Sequence, residues 1–286
     1  MSKFFEETLK ARRAVLQPKA WDIAEADEVA APAAVAPAVP IDPAAARLAK
    51  CRKIEIPSRS LLHGQFGDSE SLRHAEESYL GLRTRLLKLR SSQGIRSLVV
   101  TSSVPGEGKT HTSLNLAHYC AQLHDMRILL IDGDLRNCGL SQALGINSSS
   151  GLAEVLSGQY KPEDVILATD NPNLHVVSSG AASGAPAELF ASSRWQEFIT
   201  WCNQSFMLTI VDSPPVLNLS DVELITVPCE GVLMVVRALK TKREILQKCA
   251  GQLDSKKLLG VVFNAMHEAS ILRYQYGYYD RGRKRQ

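Results

Sequence analysis

The stretch from Ser103 to Ala117 reads SVPGEGKTHTSLNLA. Gly106 and Gly108 let a backbone come close to an anion. Lys109 supplies a cation that can reach β- and γ-phosphates, and Thr110 supplies a hydroxyl that can hold Mg²⁺. The apolar SLVVTSS precedes it and a helical pattern follows, so the helix N-terminus adds a favourable dipole. The general phosphate-loop pattern has Gly where this chain has Ser103. A second stretch, ILLIDGDLR (128–136), ends a buried-looking strand in two acids, Asp132 and Asp134. Alternate residues of a strand point to one side, so both carboxylates can face the carboxyl edge of a sheet. A solvated turn after a strand is the alternative. A third stretch, LTIVDSPP (208–215), ends another apolar strand in Asp212, a carboxylate able to hold magnesium through water. Pro214 and Pro215 stop that strand.

The elements that must position these groups alternate in kind. Strands are expected over 97–103, 127–134, 173–180, 206–215, 231–238 and 258–266. Helices are expected over 68–90, 109–123, 151–158, 193–204, 221–228 and 240–254. In the first helix Leu72, Ala75, Tyr79, Leu82, Leu86 and Leu89 recur at three- and four-residue spacing, behind Asp68 or Ser69 as cap. Five strands are near-continuous apolar runs, as when both faces are covered. The pattern predicts an α/β fold, a doubly wound and mainly parallel sheet of the P-loop NTPase type.

Before this domain, residues 2–16 read as a short amphipathic helix, either a frayed terminal helix or a docking or membrane-surface helix. Residues 28–49 are rich in Pro and Ala and read as a semi-rigid linker. The expected division is therefore 1–67, a flexible extension; 68–273, the P-loop domain; and 274–286, a tail. The 286-residue chain has a net charge of +3, which gives no reason to expect nucleic acid as a partner. Six scattered cysteines, none in a Cys-x-x-Cys pair, read as reduced thiols of a cytoplasmic protein. No run of ~18 apolar residues suggests a membrane span.

The three motifs in this order resemble the bacterial tyrosine kinases, the BY-kinase family tied to exopolysaccharide and capsule production. PGEGKT (105–110) is similar to their Walker A, LLIDGDLR (129–136) to their Walker A′, and IVDSPP (210–215) to their Walker B. The resemblance spans residues ~70 to 279. It implies an ATP-dependent protein-tyrosine kinase with Mg²⁺ as cofactor. Nucleotide contacts would come from Pro105, Gly106, Glu107, Gly108, Lys109, Thr110 and His111, with Asn264 at the adenine. Thr110, Asp132, Asp134 and Asp212 would serve the metal, and Lys109, Asp132, Asp134 and Asp212 the chemistry, one of the first two acids orienting or deprotonating a tyrosine hydroxyl.

Four of the seven tyrosines crowd into YQYGYYDRGRKRQ (274–286): Tyr274, Tyr276, Tyr278 and Tyr279. Such a tail is expected to be mobile. With the resemblance, it becomes the substrate of a neighbouring subunit, autophosphorylated in trans. The resemblance also implies self-association and a separate membrane polysaccharide co-polymerase as activator, with recruitment to the inner face of the membrane. The family's subunit-linking helix pattern E-x-x-R-x-x-R is broken: Glu77 and Arg83 are present, but Leu80 stands at the middle Arg. Two other readings remain open, a partition or septum-site type ATPase and a non-catalytic nucleotide-binding regulator. The first carries a second lysine early in the loop, where this chain has Val104.

Overall fold

The computed structural model describes residues 51–62, 68–181, 185–217 and 221–266. The amphipathic and Ala/Pro-rich stretches before residue 50 and the tyrosine tail lie outside them. Eight strands form one sheet: β1 (Arg52–Lys53), β2 (Ser97–Ser102), β3 (Ile128–Asp132), β4 (Leu167–Ala168), β5 (Leu174–Val177), β6 (Leu208–Asp212), β7 (Gly231–Arg237) and β8 (Leu258–Asn264). Their spatial order is β1-β4-β5-β3-β6-β2-β7-β8. Every pairing is parallel except β4 with β5.

Eight helices accompany the strands among the described residues: α1 (Ser69–Gln93), α2 (Lys109–Ala121), α3 (Gly139–Ala143), α4 (Leu152–Leu156), α5 (Pro186–Ala191), α6 (Ser193–Ser205), α7 (Asp221–Thr226) and α8 (Arg243–Ala250). None is long and apolar enough to cross a membrane. The strands β2, β3, β5 and β6 are buried along their whole length. Alternate residues feed two cores, one on each face. Leu129, Ile131, Val211 and Met234 join Trp195, Phe198 and α6 on one side. Leu98, Val100, Leu130 and Ile210 join Leu114, Leu116 and α2 on the other. That is why these strands read as unbroken apolar runs rather than alternating ones.

α1 begins where Asp68 accepts a hydrogen bond from the Ser71 N–H at 2.7 Å and ends at Gly94, whose φ of 74° closes the last turn onto Arg90. Only Leu86 of this helix is fully buried. It lies along α2, where Tyr79 stacks on Tyr119 at 5.7 Å and Arg83 Nη1 donates to the Tyr119 carbonyl at 2.9 Å.

Residues 51–62 lie ahead of Asp68, yet they join the sheet. Arg52 and Lys53 pair with Leu167 and Ala168, the Ile54 N–H donates to the Ala168 carbonyl, and Leu62 is buried with its N–H on Asn115 Oδ1 at 3.1 Å. Ile54, Ile56 and Leu61 pack on the α2-side core. Two-residue strands carry no periodicity, so β1 and β4 leave no sequence signal.

The arrangement of the three central strands matters most for the site. β3, β6 and β2 are neighbours, although 80 residues separate Asp132 from Asp212 in the chain. Asp132 pairs in register with Asp212, and Asp212 with Val100. The three motif-bearing strand ends therefore open at one level of the carboxyl edge.

Candidate active site

The loop between β2 and α2 turns on two glycines in the left-handed region, Gly106 at φ 79° and Gly108 at φ 93°. At Gly108 a side chain is disfavoured by φ, and a Cβ there would also displace the Asn264 side-chain amide that braces the loop. α2 starts at Lys109, so its first amides and its dipole point into the loop.

Lys109 Nζ lies 3.2 Å from Asp134 Oδ2. The Asp134 carboxylate is also held by the Asn137 N–H at 3.2 Å and Asn137 Nδ2 at 3.1 Å. Thr110 Oγ1 donates to Asp212 Oδ2 at 2.6 Å, and Ser113 Oγ donates to Asp212 Oδ1 at 3.1 Å. Asp132 takes the Ser141 N–H at 2.8 Å and the Ser141 hydroxyl at 2.7 Å on one oxygen, and the Asp134 N–H at 3.3 Å on the other. The turn between the two acids is packed tight: the Gly133 N–H donates to the Asp212 carbonyl at 2.7 Å, and a Cβ there would meet Val211 Cγ1 at 2.8 Å.

Asp132 and Asp212 are wholly buried and Asp134 nearly so. Burial raises the Asp212 carboxyl to about 7, with the Lys109 charge and the Thr110 hydroxyl pulling it back down. Burial likewise raises Asp132 to about 6, against the hydrogen bonds from Ser141. Two stacked acids out of water, facing a lysine and a threonine hydroxyl, make a site that favours an incoming cation. The hard oxygen donors of Thr110 and Asp212 suit Mg²⁺.

The motif residues Lys109, Thr110, Asp132, Asp134 and Asp212 thus converge on one edge. His111 and Asn264 are placed differently from the rest. The His111 ring leaves the loop: its Nδ1 lies 3.4 Å from the Tyr79 hydroxyl in the contact between α1 and α2, and burial lowers its pKa. Asn264, at the end of β8, uses its Nδ2 on the Glu107 carbonyl at 2.9 Å and so braces the phosphate loop. Tyr274, Tyr276, Tyr278 and Tyr279 lie outside the described residues.

Sequence reading passed over four supporting residues. Ser113 sits one helical turn after Lys109, a spacing that puts both on one face of α2. Ser141 is on α3, a five-residue helix too short to show a period. Arg136 stands in the quoted Walker A′-like run, but its partner was hidden: Nε and Nη2 form a two-pronged pair with Asp221 at 2.7 and 3.2 Å. Asp221, buried at the start of α7, anchors the A′ turn to the segment following Asp212.

Residues 96–243 match the AAA domain family. The tyrosine-protein kinase CpsD of Streptococcus pneumoniae is 35% identical over 214 residues, covering 73% of this chain and 92% of that protein. The tyrosine-protein kinase YwqD of Bacillus subtilis is 31% identical over 205 residues, covering 71% of this chain and 85% of that protein. Among solved structures, the kinase domain of the Escherichia coli tyrosine kinase ETK superposes with a TM-score of 0.63 at 28% identity, over 67% of this chain and 76% of that one.

Proposed function

The chain belongs to the bacterial tyrosine kinases, a family of nucleotide-binding protein-tyrosine kinases, and from that premise we propose that it phosphorylates Tyr274, Tyr276, Tyr278 and Tyr279 of a neighbouring copy with ATP and Mg²⁺. The observation that carries this reading is the convergence of Lys109 on Asp134 and of Thr110 on Asp212 beside a Gly-rich helix start.

In this reading the loop amides from Gly106 to Thr110 hold the β- and γ-phosphates, and Lys109 adds its charge to them. Thr110 and Asp212 hold Mg²⁺, which neutralises charge on the phosphate oxygens when bound. Asp134 orients the attacking tyrosine hydroxyl. It is better suited than Asp132 because it touches Lys109 of the phosphate loop, whereas Asp132 is tied back to Ser141 on α3. A free tyrosine loses its proton only near pH 10. Positioning and charge stabilisation must therefore supply most of the acceleration. Each phosphate adds about −1.5 to −2 charges to the tail. Beside Arg281, Arg283, Lys284 and Arg285, several phosphates on one tail invert its sign and end its docking at an acidic edge.

The same reading makes the protein a regulator of exopolysaccharide synthesis or export, activated by a separate membrane co-polymerase that recruits it to the membrane. The resemblance supports this role. Residues 1–50 would serve docking to that partner.

The experiment incubates the purified protein with ATP and Mg²⁺, with and without a candidate activator segment, and maps phosphate by mass spectrometry. Phosphotyrosine within 274–279, absent from Lys109→Met, is the expected result. Nucleotide binding without phosphotyrosine, even with the activator, would replace this reading with a regulatory or ATPase one.

A further inference from the structure

The phosphate loop carries an acid, Glu107, among amides that must face a polyanion. Its position in the motif is a free one, and a negative charge there opposes the ligand. The structure shows what the charge does instead. Glu107 is 2% exposed. Its Oε2 accepts the Val104 N–H at 2.9 Å. Its Oε1 accepts the Thr241 hydroxyl and the Arg237 N–H, the latter at 3.4 Å. Its backbone carbonyl takes the Asn264 amide, and the Gly106 carbonyl takes Arg237 Nη1 at 3.4 Å.

One side chain thus ties the front of the loop at Val104 to the turn joining β7 to α8. That turn is itself held in an uncommon shape. Leu239 has φ 60° and is 85% exposed, while the Lys240 and Thr241 N–H groups return to the Arg237 carbonyl. A leucine in the left-handed region persists only where its surroundings fix it.

We propose that Glu107 and Thr241 are a positioning pair that sets the phosphate loop in its nucleotide-binding shape, so that nucleotide affinity depends on the 237–242 turn. A loop containing two glycines loses much conformational freedom when it closes on phosphates. The clamp removes that freedom before the ligand arrives. The carboxylate's charge is met by the Val104 N–H, the Arg237 N–H and the Thr241 hydroxyl. This deepens the kinase reading and rests on it only where turnover is measured.

The test uses the full chain and compares Thr241→Val, Thr241→Ser and Glu107→Gln. Binding of a fluorescent ADP analogue with Mg²⁺ gives Kd. Phosphorylation of a tyrosine peptide gives KM for ATP and kcat. Losing one hydrogen bond to a buried carboxylate predicts a Kd and KM about three- to tenfold higher for Thr241→Val. Thr241→Ser should return both to within about twofold, with kcat at saturating ATP little changed in either. Glu107→Gln should weaken binding in the same direction, and it decides the matter if Thr241→Val does not fold. Wild-type Kd in Thr241→Val, failure of serine to restore it, or a fall in kcat with Kd unchanged would each overturn the clamp. If the wild type binds nucleotide yet transfers no phosphate, the kinase reading fails, while the Kd comparison still decides the clamp.

Discussion

At the carboxyl ends of β3 and β6, Asp132 and Asp212 stand in register and out of water. Near the amino ends of the same sheet, His175 on β5 and Thr209 on β6 flank Leu129, also out of water. At the carboxyl edge every acid has hydroxyl, amide or lysine partners. At the amino end, His175 Nδ1 and Thr209 Oγ1 have no hydrogen-bond partner among the described residues. Burial pushes His175 down to about 4, so it stays neutral and packs on Phe206 at 5.5 Å. The first region spends its hydrogen bonds on keeping charge available for a cation. The second discards its charge and behaves as core.

The pH signs of the two regions are opposite. The folded His175 pKa lies below its unfolded value, so between about pH 4 and 6.5 only the unfolded chain takes the proton, and stability is lost as pH falls through that window. The folded pKa of Asp212 lies above its unfolded value. Its contribution to stability is present at low pH and is lost as pH rises through about 7.

The largest expected effect breaks the carboxyl edge. Lys109→Met and Asp212→Asn should each lower phosphotyrosine formation at least ~100-fold, read as initial rates on a tyrosine peptide. Asp212→Asn should nonetheless melt no lower than wild type above pH 7 in the absence of nucleotide, because it removes a buried charge. A clearly lower melting temperature would mean that Asp212 serves the fold as well as the chemistry.

Next in size is Gly108→Ala. Its φ of 93° strains any side chain and a methyl group would push away the Asn264 amide, so nucleotide affinity should fall by at least ~10-fold with little change in the far-ultraviolet dichroism. Arg136→Ala tests a polar pair that belongs to both regions' logic, since it leaves Asp221 buried without its cation. Urea unfolding should show a loss of about 1–3 kcal/mol. Asp221→Asn should lose less, because no bare charge remains.

The smallest effect sharpens the amino end. Titration of His175 should cost wild type no more than about 2 kcal/mol between pH 7.5 and 5. His175→Phe should flatten that part of the pH dependence, seen in urea midpoints at the two values, without altering kcat. An unchanged slope would show that other groups carry it.

The motif strands were legible because each is buried on both faces, β3 and β6 ending in an acid and β2 running into the Gly-rich loop. Strands β2, β3, β5, β6, β7 and β8 and helices α2, α4, α7 and α8 fall within the expected stretches, most of them shortened by a residue or more, while α1 runs three residues past its expected end and α6 one. The elements that were not legible are all short, although the equally short α4 and α7 did fall within expected stretches. β1 and β4 have two residues each, and α3 and α5 have five and six. In β1, β4, α3 and α5 no period of 2 or 3.6 stands out over so few positions.

The sequence by itself determined the order and kind of the long elements, the Gly-rich turn before Lys109, and the acids that end β3 and β6. Those are local facts, set by which side chains avoid water and which backbone angles glycine permits. Only the tertiary structure decided which partners meet. Asp132 lies beside Asp212 because β6 pairs between β3 and β2. Arg136 finds Asp221 across 85 residues, Glu107 reaches Thr241 across 134, and His111 turns to Tyr79. Hydrogen bonds and ion pairs form between groups a few ångströms apart, and that proximity comes from the crossover connections of the sheet rather than from spacing along the chain.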